Sequence, residues 1–190
     1  MLEIILIRNA PGEGEGLTEE VRQQCLRAGE VLEKLYYRPD LIVSSDAPRS
    51  KDTGTYIAQG LRMPPPPIIV IPELRYFARD KETFVAEILP MLQEFGDDQP
   101  TSMYLEHDKK GVLLAHAKQI AVKIRREVER RFSQRRTLVL ATGHHFIPNL
   151  VGLSLVPGNS ICLGPHFTPL SGCRIDEYEL VYKVDLNTEQ

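Results

Sequence analysis

The sequence predicts an α/β domain built on a parallel sheet, and three observations predict it. Short apolar runs alternate with segments of helical periodicity along the chain. Three of those runs end in residues that can hold an anion or move a proton: Arg8-Asn9, Ser44-Ser45 with Arg49 just beyond, and Gly143-His144. The length, 190 residues with 42% apolar content, suits one sizeable core, so a single domain over residues 1–190 is expected.

The first strand is Leu2 to Ile7, an apolar run that stops at Arg8. By position alone Arg8 is a surface cation at a strand exit; in an open α/β sheet that exit is also where ligands sit. The loop Gly12-Glu13-Gly14-Glu15-Gly16 lacks the full G-x-G-x-x-G spacing and would set two glutamates against a pyrophosphate, so it reads as a flexible loop and not a dinucleotide site. Thr18 is placed to cap a first helix, with Glu19 and Glu20 complementing its N-terminus. Val21, Cys25, Ala28, Val31, Leu32 and Leu35 form its apolar stripe, to about Tyr36. Pro39-Asp40 breaks that helix, and Leu41-Ile42-Val43 with Ser44-Ser45 follows as a second buried strand. The second helix starts across Asp46 to Ser50, which sets Arg49 in a first turn where backbone N–H groups favour anions. It carries Thr53, Tyr56, Ile57 and Leu61, and Pro64 to Pro67 force an extended connector after it.

Ile68 to Ile71, β-branched or apolar throughout, predicts a third strand in the centre of the sheet. Asp80 to Phe95 suggests a helix bent or restarted at Pro90, Gly96 to Ser102 an exposed loop, and residues 77–111 together a small cap insertion. Val112 to Phe132 is a long amphipathic helix whose outer face carries Lys118, Lys123, Arg125, Arg126, Arg130 and Arg131, with His116 as a packing or surface residue. Glu127 and Glu129 interrupt the basic face and interleaved aromatics are missing, so it reads as solvated and no nucleic-acid partner is expected. Thr137 to Thr142 is the fourth strand, running into Gly143-His144-His145 and an apolar helix from Ile147 to Leu155. Ile161-Cys162-Leu163 reads as a short strand, Tyr178 to Val184 as a half-exposed edge strand, and His166 falls in the loop between them.

Composition narrows the function classes. A formal charge of -3 gives no global drive toward nucleic acid or acidic lipid, so anion binding has to come from local geometry. Cys25, Cys162 and Cys173 lack metal-type spacing and read as structural thiols of a reduced, cytoplasmic protein. The first apolar run is too short to span a bilayer and lacks a basic flank and cleavage site, so neither a membrane partner nor a leader is expected. The histidines lack a ligand-type arrangement with thiols or carboxylates; no metal and no cofactor is implied. Oligomeric state leaves no signature in the sequence.

Parallel strands joined by helices bring Arg8-Asn9, Ser44-Ser45-Arg49 and Gly143-His144 to one sheet edge. Two guanidiniums there can hold a phosphate through charge-assisted hydrogen bonds, and an imidazole can donate another. The same residues carry a resemblance over nearly the whole chain. Ile5-Leu6-Ile7-Arg8-Asn9-Ala10, Leu17-Thr18-Glu19 with Arg22 and Gln24, Ser44-Ser45 with Arg49 and Thr53, Thr142-Gly143-His144 and Gly158-Asn159-Ser160 together resemble the histidine phosphatase superfamily, the phosphoglycerate mutase-like enzymes. The resemblance implies a three-layer α/β/α fold, with a mixed, mostly parallel sheet, helices on both faces and a small cap. It also implies that Arg8 and Arg49 bind phosphoryl oxygens and that His144 stabilises the transferred charge.

Two positions depart from that pattern. Asn9 stands where the family has its nucleophilic histidine, and an amide nitrogen, with its lone pair delocalised into the carbonyl, cannot carry a phosphoryl group. Tyr76 stands at the acid position, with Glu73 three residues earlier as an alternative acid; an unperturbed tyrosine near pKa ~10 is a poor proton donor at neutral pH. The expectation is a protein that binds phosphate or a phosphorylated small molecule with impaired catalysis. The alternatives are an active phosphomonoesterase or mutase, with His144 or His145 as replacement nucleophile and Glu73 as acid or with Asn9 standing in for a natural histidine, and a protein-interaction module without ligand.

Overall fold

The computed structural model describes residues 2–12, 16–35, 37–62, 64–75, 82, 84–95, 99–132, 135–144, 146–165, 167–176 and 178–187. The elements in order are β1 (Leu2–Arg8), α1 (Glu19–Lys34), β2 (Leu41–Ser44), α2 (Pro48–Gly60), β3 (Ile68–Val70), a 3-10 turn at Pro72–Leu74 and a π-helical turn at Phe84–Ile88. There follow α3 (Leu89–Phe95), α4 (Thr101–His107), α5 (Val112–Arg131), β4 (Thr137–Gly143), α6 (Ile147–Leu155), α7 (Ser160–Leu163), β5 (Ser171–Ile175) and β6 (Val181–Asp185). The strands form one sheet in the order β3-β2-β4-β1-β5-β6. β1, β2, β3 and β4 run parallel, while β5 pairs antiparallel to both β1 and β6. The chain therefore has the mixed, mostly parallel sheet of a three-layer α/β/α fold.

Strand alternation assigns the two outer layers. Ile4 and Leu6 of β1, Leu41 and Val43 of β2, and Val139 and Ala141 of β4 pack with the apolar sides of α5 and α6. Ile5, Ile7, Ile42 and Leu140 face the other way, onto Cys25, Ala28, Val31 and Leu32 of α1 and Ile57 and Ala58 of α2. Thr18 caps α1 as its sequence position predicts, its Oγ1 accepting from the Val21 N–H at 3.4 Å. The crossing of α1 and α2 is a backbone contact. A Cβ on Gly60 would stand 2.0 Å from the Leu26 carbonyl oxygen, and one on Gly29 would stand 2.2 Å from that of Ile57.

At the far end of the sheet the buried Glu3 of β1 joins three strands. Its carboxylate accepts from Arg174 Nη2 of β5 at 2.7 Å and from the Arg136 guanidinium just before β4. Burial works against its charge, but the hydrogen bonds from Arg174 and Arg136 outweigh that and hold Glu3 below the usual carboxylate range.

Several local expectations are corrected. β3 is an edge strand rather than a central one: it pairs only with β2, and Ile68 and Val70 are 37% and 44% exposed. β-branched content reports strand propensity, not position in the sheet. Ile161 to Leu163 is helical, because the Asn159 side chain accepts from the Ile161 and Cys162 N–H groups and so caps α7. The expected strand over Tyr178 to Val184 starts only at Val181, at the sheet edge. Before it, the Asp176 carboxylate accepts from the Tyr178 and Leu180 N–H groups, making the turn of a β5–β6 hairpin. The exposed loop expected over Gly96 to Ser102 ends early, since Thr101 is buried and opens α4. Ile88 and Tyr104 are both buried against the sheet's core, and Tyr104 stacks on Phe146 with centroids 5.1 Å apart.

α5 spans Val112–Arg131, close to its expected limits. Its outer cations are partly engaged: Lys123 pairs with Glu73, and Arg130 and Arg131 with Glu127. His116 is a packing residue, as expected, with Nε2 donating to the Glu73 carbonyl at 2.9 Å. Burial pushes its pKa below the ordinary imidazole value. No helix among the described residues is long and apolar enough to cross a membrane.

Two outcomes follow from this packing. Gly60→Ala drives a methyl group into the α1 backbone and is expected to cost about 2 kcal/mol or more in urea unfolding. An unfolding curve like that of the parent would mean that the helices are not in backbone contact. Because His116 is held neutral in the folded chain and charges more readily when unfolded, stability is expected to fall as pH drops below about 6.5. In His116→Gln, unfolding titrations between about pH 7 and 5.5 should show a shallower slope, by up to about 1.4 kcal/mol per pH unit; an unchanged slope would remove His116 from the account.

Candidate functional site

The parallel register sets Arg8 beside Gly143, and Ser44 beside Thr142, so the C-terminal ends of β1, β2 and β4 meet at one edge. Beyond that edge the chain is held by backbone bonds. The Asn9 N–H donates to the Gly143 carbonyl at 2.9 Å, the His144 N–H donates to the Leu74 carbonyl at 3.3 Å, and the Leu170 N–H donates to the Arg8 carbonyl at 2.9 Å. α2 starts against the same edge. The Ser45 N–H donates to Ser50 Oγ at 3.3 Å, and the Ser50 hydroxyl lies 3.1 Å from that of Thr142. Thr53 Oγ1 accepts from the Ala10 N–H at 3.2 Å and donates to the Arg49 carbonyl at 2.7 Å.

On this frame Asn9, Arg49, His144 and Ser45 form one chain of side-chain hydrogen bonds. The Asn9 amide is oriented by its partners: Nδ2 donates to the Gly143 carbonyl at 2.7 Å, and Oδ1 accepts from Arg49 Nε at 3.2 Å. Arg49 Nη2 donates to His144 Nδ1 at 3.1 Å, and His144 Nε2 lies 3.2 Å from Ser45 Oγ. Asn9, Ser45 and His144 are buried, while Arg49 stays partly open to solvent. No carboxylate among the described residues pairs with Arg8 or Arg49.

The chain of donors settles the His144 tautomer. A guanidinium has no acceptor, so Nδ1 must accept from Arg49, and the imidazole proton sits on Nε2 and points at Ser45 Oγ. A serine–histidine pair needs the opposite arrangement to make a nucleophile, with a bare imidazole nitrogen facing the hydroxyl. In this tautomer the pair is an array of donors: it can hold an anion, and it has no base aimed at Ser45.

The expected site residues divide into four groups. Asn9, Arg49 and His144 come together directly. Arg8 joins them through the backbone, while its Nη1 donates to the Phe167 carbonyl at 3.3 Å. Glu73 is adjacent in sequence to Leu74, whose carbonyl holds His144, yet its Oε1 accepts from Lys123 Nζ on α5, and it is not part of the Asn9–Arg49–His144–Ser45 chain. Tyr76, His145 and His166 lie outside the described residues, as do Glu13 to Glu15 of the glycine-rich loop.

Sequence reasoning marked Ser44-Ser45 and Thr53 by position but gave them no bonds. The Leu74 and Phe167 carbonyls, which hold His144 and Arg8, have no signal in a sequence, since every residue carries a carbonyl. Among the described residues no group of three or more His, Cys, Asp or Glu side chains is arranged to hold a metal ion.

No protein-family model and no curated protein sequence matches the chain. Solved structures do resemble it along its length. YhfR of Bacillus stearothermophilus aligns with a TM-score of 0.62 at 16% identity, covering 100% of this chain and 98% of that one. A mycobacterial glucosyl-3-phosphoglycerate phosphatase solved with VO3 gives 0.61 at 18% identity, covering 99% and 98%. The protein histidine phosphatase SixA complexed with tungstate gives 0.52 at 15% identity, covering 96% and 93%. At such identities the likeness speaks for architecture alone, and this chain shares with these neighbours the α/β phosphoglycerate mutase-like fold.

Proposed function

We propose that the chain binds a phosphate group or a phosphorylated small molecule at the Arg8–Arg49–His144 edge and turns it over poorly or not at all. The observation that carries this reading is the Arg49 guanidinium, held between the Asn9 and His144 side chains at the meeting point of three strand ends with no carboxylate partner among the described residues. A cation kept without a carboxylate in a partly buried place is a ready partner for an anion. An incoming phosphate would take the Arg49 and Arg8 N–H groups in bidentate fashion and the His144 Nε2 proton as a further donor. Neighbours solved with VO3, with tungstate and with inorganic phosphate support a ligand of that class.

The impaired chemistry rests on Asn9. Its amide nitrogen has no available lone pair, and its oxygen already accepts from Arg49. His144 does not replace it while Arg49 occupies Nδ1 and Nε2 carries the proton. Glu73 is a poor stand-in acid, because its carboxylate is buried in an ion pair with Lys123. With Asn9 as it stands, the active-enzyme alternative therefore needs His145 as its nucleophile.

Isothermal titration of the full chain with inorganic phosphate, paired with a turnover assay on p-nitrophenyl phosphate, tests both halves. Saturable phosphate binding is expected, about 10- to 100-fold weaker in Arg49→Ala for the loss of charge-assisted hydrogen bonds, with no turnover above the uncatalysed rate. Binding that is absent, or equal in Arg49→Ala, would overturn the site and favour an interaction module. Turnover abolished by His144→Ala would overturn the impairment.

A further inference from the structure

A second chemical feature lies where α7 meets β5. Cys162 of α7 and Cys173 of β5 are both buried, with their Sγ atoms 3.8 Å apart. Gly152 of α6 makes their seat. A Cβ there would stand 2.5 Å from Cys162 Sγ and 3.6 Å from Cys173 Sγ, so the sulfur pair fills the space a larger residue would claim. The third thiol, Cys25, lies in the opposite layer on α1.

We propose that Cys162 and Cys173 are a dithiol–disulfide couple, oxidised by small peroxides, that clamps the segment on which Arg8 leans. That segment is the one between the two cysteines, which are eleven residues apart. It contains Phe167, whose carbonyl accepts from Arg8 Nη1, and Leu170, whose N–H donates to the Arg8 carbonyl. A disulfide would tie α7 to β5 on either side of it. The inference stands apart from phosphate binding and does not depend on it.

The chemistry balances with hydrogen peroxide as the oxidant. The Cys162 sulfur attacks one peroxide oxygen, the O–O bond breaks, and the products are Cys162 sulfenic acid and water. The Cys173 sulfur then attacks the Cys162 sulfur, the S–O bond breaks, and the hydroxyl leaves with the Cys173 proton as a second water. Two thiols lose two electrons and one peroxide gains them. The hydrogen bond from Cys173 favours the thiolate at Cys162 and outweighs burial there, while the same bond and burial push Cys173 up, which separates the attacking from the resolving thiol. Closure needs the sulfurs to move from 3.8 Å to about 2.0 Å. Burial of both sulfurs excludes bulky disulfides such as oxidised glutathione and leaves a small peroxide as the oxidant. A resolving sulfur this close captures the sulfenic acid before further oxidation.

Intact mass and peptide mapping after hydrogen peroxide treatment of the full chain, with alkylation under denaturing conditions, provide the test. The expected result is a loss of about 2 Da and a fall in alkylatable thiols from three to one. Cys25 should remain free, a Cys162–Cys173 cross-linked peptide should appear, and dithiothreitol should reverse all of it. In Cys173→Ser the cross-link should be replaced by one or two added oxygens on Cys162, about 16 or 32 Da, while Cys25→Ser should cross-link like the parent. Three alkylatable thiols after treatment, or oxygen added to the parent's cysteines without a cross-link, would overturn the proposal whether or not the variants fold.

Discussion

The parallel pairing of β1 with β4 is the constraint on which the rest of the site depends. Its register brings Arg8 level with Gly143, and the Asn9 amide lies between the Gly143 carbonyl and Arg49. Glu3 holds that register from the far end of the strand through its bonds to Arg136 and Arg174. The site is thus built at one end of a strand whose other end is anchored by a buried, doubly paired carboxylate. A slip of one residue would exchange the faces of Ile4, Leu6, Ile5 and Ile7 and so is opposed by the whole core.

Arg49 is the second organising element. It is preorganised by α2, whose first two turns are bonded to Ser45 just after β2, to β4 and to Ala10 after β1 through Ser50 and Thr53. Because a guanidinium only donates, one arginine decides two things at once: it takes up the Asn9 oxygen and it fixes the proton on His144 Nε2. In the proposed reading this turns a constellation resembling a phosphoryl-transfer site into a set of donors awaiting an anion.

Much of this was legible in the sequence, for definite reasons. Long periodic elements such as α1 and α5, and apolar runs such as β1 and β4, declare themselves because hydrophobic burial has one period in helices and another in strands. Arg8, Arg49 and His144 stood out because strand ends in such a fold converge. Position in the sheet was not legible, and β3, with its β-branched run, proved to be an edge. Short elements were misread where a single side chain decides the backbone: Asn159 makes α7 a helix, and Asp176 makes a turn where alternation suggested a strand. Nor could spacing show that Glu73 turns to Lys123, since its partner lies fifty residues away on α5.

The central claim, an anion site in which no side chain attacks the anion, is tested most directly by the crystal structure of the chain soaked with vanadate. The account predicts a tetrahedral vanadate held by the N–H groups of Arg8, Arg49 and His144, with Asn9 beside it and no bond from vanadium to any side-chain atom. Vanadium in trigonal-bipyramidal geometry, bonded to a nitrogen of His144 or His145, would show a working nucleophile and contradict it.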